Sequence, residues 1–196
     1  MSHSLSRRGV LSAVALGLGG RCFAQTKDSH DKFGRLIKPT APPPLALKLS
    51  DGTKTDLKTL LTGKTTAMQL MFTGCSATCP IQGALFAQAQ KRMGGKQGER
   101  QLLSISIDPL SDDPTALRAW LKRFDAAPGW LAAQPAMAQL DAFVEFLGAS
   151  AKGPDRHTGQ VYIFNRKGEL TLRSSELPPG VEIVRFLDAQ LAIGPV

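Results

Sequence analysis

Two cysteines set four positions apart, Cys75 and Cys79 in Phe72-Thr73-Gly74-Cys75-Ser76-Ala77-Thr78-Cys79-Pro80, are the residues whose type and spacing most directly promise chemistry. Around the first turn of a helix, an i,i+4 pair faces one way and can share a metal ion. Its Cα atoms lie about 6 Å apart, which also permits a disulfide. A helix N-terminus favours thiolate over thiol, and Pro80 suits a first turn because no intrahelical donor is lost there. As a purely structural staple the pair would close too short a loop to constrain the unfolded chain much. Of three histidines, His3 lies in the N-terminal leader and His30 in a polar arm. His157, in Gly153-Pro154-Asp155-Arg156-His157-Thr158-Gly159, is the one candidate ligand within the domain. Two soft thiolates and an imidazole suit Cu(I), or Cu(II) with a further ligand. Zinc competes, although a structural zinc site wants four protein ligands and three are on offer. No CxxCH run is present for heme attachment, and neither cysteine fits the peroxiredoxin pattern.

The elements around this pair follow from periodicity. Ala67 to Thr73 reads as a buried strand, and Ile81, Leu85, Ala89 and Met93 recur at helical spacing until Gly94-Gly95. The cysteines therefore sit where a strand becomes a helix. Before them, Leu45 to Leu49 and Thr53 to Leu57, joined at Asp51-Gly52, predict a hairpin, and Leu57 to Leu61 a short helical turn. After them come a strand at Gln101 to Ile107, ended by Asp108-Pro109, and a helix opened by Asp113-Pro114 with Leu117, Trp120, Leu121 and Phe124 on its apolar face. Asp108 is either a turn former or an outer group near the site. Trp130-Leu131 predicts a short strand, Ala136 to Leu147 a helix, and Gln160 to Phe164 with Glu169 to Leu172 a late hairpin. Val181 to Leu191 closes the chain as a helix. This order predicts an α/β, thioredoxin-like sandwich with an N-terminal β-hairpin, two parallel long strands and a late antiparallel hairpin.

With 196 residues and 42% hydrophobic content, one core is expected. The N-terminus carries Arg7-Arg8, an apolar run from Val10 to Leu18 and a small residue at Ala24, the marks of an export signal over 1–24. Ser6 to Leu11 resembles a twin-arginine motif, with an ordinary secretory signal as the alternative. Either route leads to the periplasm. Cys22 would leave with the signal. Residues 25–44 are polar and then proline-rich, an expected linker or extended arm, which leaves 45–196 as the domain. The net charge of +8 falls to +5 without Arg7, Arg8 and Arg21. Scattered basic residues and 6% aromatic content match no nucleic-acid stripe.

The run Phe72 to Pro80 resembles the CxxxCP motif of the Sco/SenC family. Ser104-Ile105-Ser106-Ile107-Asp108-Pro109 with Asp113-Pro114 is similar to its second strand and turn, and His157 before Val161 to Phe164 to its histidine. The resemblance covers roughly Leu45 to Leu191. It implies a thioredoxin-like fold and copper bound by Cys75, Cys79 and His157. It also implies service as a metallochaperone, with the copper-bearing subunit of cytochrome c oxidase or another copper-site protein as partner. Members also act as thiol-disulfide reductants of copper-site cysteines, so whether the chain is an enzyme is left open; a redox or copper sensor would use the same site. Where members often carry Pro and Asp between the cysteines, this chain has Ser76-Ala77-Thr78.

Overall fold

The computed structural model describes residues 34–94, 98–149 and 158–192. In chain order these form β1 (Gly34–Thr40), β2 (Ala46–Leu49), β3 (Lys54–Asp56), α1 (Leu57–Leu61), β4 (Thr65–Met71), α2 (Thr78–Met93), β5 (Arg100–Ser106), α3 (Pro114–Arg123), β6 (Trp130–Pro135), α4 (Met137–Leu147), β7 (Val161–Phe164), β8 (Leu170–Arg173) and α5 (Gly180–Leu191). The strands make one sheet in the order β1-β8-β7-β4-β5-β6-β2-β3. β4, β5 and β6 are parallel, with Leu70 opposite Ile105 and Met71 opposite Ser106, and every other pairing is antiparallel.

Every residue of β4 and β5 is buried, as befits central strands covered on both faces. Alternation assigns the faces. Met68, Leu70, Leu103 and Ile105 pack with Leu140, Phe143, Val144 and Leu147 of α4 on one side. Ala67 and Leu102 pack with Phe86 and Ala89 of α2 and Ile183 and Leu187 of α5 on the other. Met71 and Ala132 continue that second face toward α3, where they meet Leu117, Trp120 and both cysteines. Because β4, β5 and β6 advance in one direction across the sheet, their two crossover helices share a face, as same-handed crossovers require.

The expected hairpins, the expected parallel pairing of β4 with β5 and all five helical segments are present within a few residues. Asp113 caps α3 by accepting the Ala116 N–H at 2.8 Å. Three readings change. Gly34–Thr40, placed in the linker, is an edge strand paired with β8, so the ordered domain begins before Leu45. The two-residue strand at Trp130-Leu131 extends to Pro135, pairing with β5 and β2. Finally, α2 begins at Thr78, so Cys75 lies in the loop before the helix and only Cys79 in its first turn. Gly95, expected to help stop α2, lies outside the described residues, while Gly94 ends the helix with φ +57°.

Candidate metal centre

The site forms at the C-terminal ends of the parallel strands, the edge where open α/β sheets place their ligands. β4 ends at Met71, and its chain turns through Phe72, Thr73 and Gly74 to Cys75, whose N–H donates to the Phe72 carbonyl at 3.2 Å. Ala77 opens α2 without a side-chain cap. The sulfur of Cys75 partly replaces one, since the Cys79 N–H donates to Cys75 Sγ at 3.4 Å and a free donor of the first turn thereby gains an acceptor. Neither cysteine is in a disulfide; they are 5% and 3% exposed and pack against Met71, Leu117, Trp120 and Ala132.

Their surroundings push the two thiols apart. Burial alone would raise Cys75, but hydrogen bonds from the Cys79 thiol, the Cys79 N–H and the N–H groups of Ala77 and Thr78 outweigh it and hold the thiol below its ordinary value. Burial pushes Cys79 up to about 12, helped by its hydrogen bond to Cys75 and the charge that Cys75 gains on ionising. The stable ionised form is thus a Cys75 thiolate accepting from a Cys79 thiol.

The loop after β5 closes over the same edge. Asp112, 1% exposed, accepts the Thr73 N–H at 3.1 Å on each carboxylate oxygen, the Thr73 hydroxyl on Oδ1, and the Ser106 hydroxyl on Oδ2 at 2.7 Å. Sequence reasoning passed over Asp112 because its neighbour Asp113 carries the helix-start signal. The Asp108 carbonyl accepts from the Ser111 and Asp112 N–H groups and its own N–H donates to Ser106 Oγ, so its backbone builds the turn. Gln82, one turn beyond Cys79 on α2, was also missed. It is buried and its Nε2 donates to the Gln160 carbonyl at 3.2 Å, holding the approach to β7 against α2.

Of the three ligands expected from the sequence, the structure brings Cys75 and Cys79 together; His157 lies outside the described residues, as does His30. Among the described residues, no three His, Cys, Asp or Glu side chains gather to hold a metal ion. None of the described helices is long and apolar enough to cross a membrane. The donors present fit a soft, thiophilic ion: two hydrogen-bonded thiols buried against an apolar wall.

An open α/β sheet with a dithiol between a parallel strand and the helix that follows defines a thioredoxin-like protein with a two-cysteine site. The sequence model of the SCO1/SenC family matches residues 44–187, and the chain belongs to that family. Among solved structures, the chain is similar to a SCO1/SenC family lipoprotein from Bacillus anthracis, with 23% identity, TM-score 0.69, and 80% of this chain and 99% of that one covered. It is also similar to copper-bound ScoI of Bradyrhizobium japonicum, with 21% identity, TM-score 0.65, and coverage of 77% and 99%. A third similar structure is BsSco, described as having a disulfide switch and as a member of the Sco family of cytochrome c oxidase assembly proteins, with 18% identity, TM-score 0.70, and coverage of 84% and 100%. No curated protein sequence matches the chain.

Proposed function

We propose that this chain is an exported, periplasmic copper metallochaperone that holds one Cu(I) through Cys75, Cys79 and His157. Its partner is a copper-site protein, in the first instance the copper-bearing subunit of cytochrome c oxidase. The observation that carries the reading is the meeting of two thiols at the start of α2, with the Cys79 N–H on Cys75 Sγ, in a chain of the SCO1/SenC family. Relatives of similar fold are described as copper-bound or as oxidase assembly proteins, which supports the choice of cargo. His157 is supported by reach. Gln160 is tied to α2 one turn from Cys79, and three residues of extended chain span about 10 Å. The apolar wall of Met71, Leu117 and Trp120 keeps water from the sulfurs, and two thiolates on one side of the ion leave the other for an imidazole or an incoming ligand.

A second reading, thiol-disulfide reduction of copper-site cysteines, is favoured by the split between the two thiols. The Cys75 thiolate attacks a substrate disulfide and expels one substrate thiolate. Cys79 then gives up its proton, attacks Cys75 Sγ and releases the second substrate sulfur, leaving a Cys75–Cys79 disulfide and two electrons on the substrate.

Competition titration with a Cu(I) chelator separates these readings. His157→Ala is expected to weaken Cu(I) binding by about tenfold or more without lowering the unfolding midpoint, and Cys75→Ser to abolish tight binding. Unchanged affinity in His157→Ala would remove that residue from the site and shift weight to the reductase reading.

A further inference from the structure

Asp112 buries a carboxylate beside the cysteine loop, and among the described residues no ion pair reaches it. Among the described residues it is held by hydrogen bonds, and they come from two different strand ends: Thr73 after β4 and Ser106 at the end of β5. Thr73 stands two residues before Cys75. Its N–H lies at 3.1 Å from both carboxylate oxygens, so the bond fixes the backbone of the loop and not merely a side chain. The next fixed point along the chain is the 3.2 Å bond from the Cys75 N–H to the Phe72 carbonyl, and the next the 3.4 Å contact of Cys75 Sγ with the Cys79 N–H. Thr73 to Cys75 is therefore pinned at its start by Asp112 and at its end by α2.

We propose that Asp112 is a positioning residue for the metal centre: its carboxylate clamps Thr73 so that Cys75 Sγ is held beside Cys79 before copper arrives. This inference rests on the proposed role of Cys75 and Cys79 as copper ligands. The effect of Asp112 runs through the loop backbone, by way of the Thr73 N–H. A loop already in its binding geometry loses little freedom when the ion enters, whereas an unclamped loop must be ordered at the expense of affinity. An amide is a poor substitute. Whichever way the side chain of Asp112→Asn lies, one of the two oxygens that accept the Thr73 N–H becomes an NH2 group, which faces that N–H and cannot accept from it as the oxygen did, so half of the clamp is lost.

The test measures Cu(I) affinity by chelator competition and the thermal midpoint of the apo protein for Asp112→Asn, Thr73→Val, Thr73→Ser and Cys75→Ser. Ile183→Val, which trims the core on α5 away from this loop, is the stability control. Asp112→Asn is expected to bind Cu(I) about tenfold more weakly, Thr73→Val to bind more weakly than wild type, and Thr73→Ser, which keeps the hydroxyl, to restore the affinity. Ile183→Val is expected to lower the midpoint and leave the affinity alone. In apo Asp112→Asn, amide hydrogen exchange at Cys75 and Cys79 should quicken while that of β4 and β5 does not. Wild-type affinity in both Asp112→Asn and Thr73→Val, or unchanged exchange at Cys75 and Cys79, would overturn the inference while leaving the copper site standing if Cys75→Ser still loses binding. Should Asp112→Asn fail to fold, the Thr73 pair decides. A wild-type protein that binds Cu(I) no more tightly than Cys75→Ser would end the copper reading itself, and this inference with it.

Discussion

Each thiol of the pair is prepared for a different part in the same event. Cys75 receives N–H groups from the start of α2 and ionises below its ordinary value; Cys79, pressed into the wall beside it, keeps its proton to about 12. A metal that binds both as thiolates must displace the Cys79 proton at any ordinary pH, and the Cys75 proton wherever that thiol is still protonated. Protons compete with the metal, so the sign is fixed: affinity rises as pH rises. It should rise by about tenfold per pH unit for each proton displaced, and continue to rise between about pH 7 and 9, because Cys79 is still protonated there. Chelator competition across that range measures the slope, and a Cu(I) affinity flat with pH would mean that Cys79 is not a ligand. The same asymmetry marks Cys75 as the nucleophile of the second reading, since it ionises more readily than Cys79.

At the scale of elements, the site depends on α2 being held close to the sheet and to α5. Gly180 opens α5, and a Cβ there would lie 2.7 Å from the Ala89 backbone nitrogen and from Gln88 Cβ. The nearest atom belongs to helix backbone and cannot swing aside, so Gly180→Ala is expected to destabilise the fold by about 1–3 kcal/mol, read as a lower denaturation midpoint. A midpoint equal to wild type would show that α2 and α5 are not packed this closely. Much of this arrangement is legible in the sequence. The β4–α2 unit announces itself through a buried run followed by helical spacing, and Asp113-Pro114 and Asn165 to Gly168 mark a helix start and a turn by their chemistry. What escapes has physical causes. β1 carries no apolar alternation, and it lies at the edge of the sheet, paired with β8 alone. The end of β6, Ala132-Ala133-Gln134-Pro135, is poor in strand formers, yet pairing with β5 and β2 overrides local preference. Cys75 looks like a helix residue by spacing. It is a loop residue, since α2 begins only at Thr78, and the loop before it is bonded through the Thr73 N–H to Asp112, a partner 39 positions distant that no spacing rule reports.

For the whole molecule, the proposed export, the dithiol edge and the copper cargo have to belong together. Export is checked by sequencing the N-terminus of periplasmic material, which should begin at Gln25, following Ala24; intact Met1 in the membrane fraction would mean that the leader is retained as an anchor. Both proposed activities draw on the same two sulfurs. Copper needs thiolates, and a Cys75–Cys79 disulfide has none to offer, so redox state should gate loading. The direct measurement is anaerobic titration of Cu(I) into the purified mature protein, once fully reduced and once fully oxidised, without added thiols. One tightly held copper per reduced chain is expected, with both cysteines protected from alkylation when it is bound, and no tight binding by the oxidised chain. Equal, tight binding by both forms would contradict the claim that Cys75 and Cys79 hold the metal.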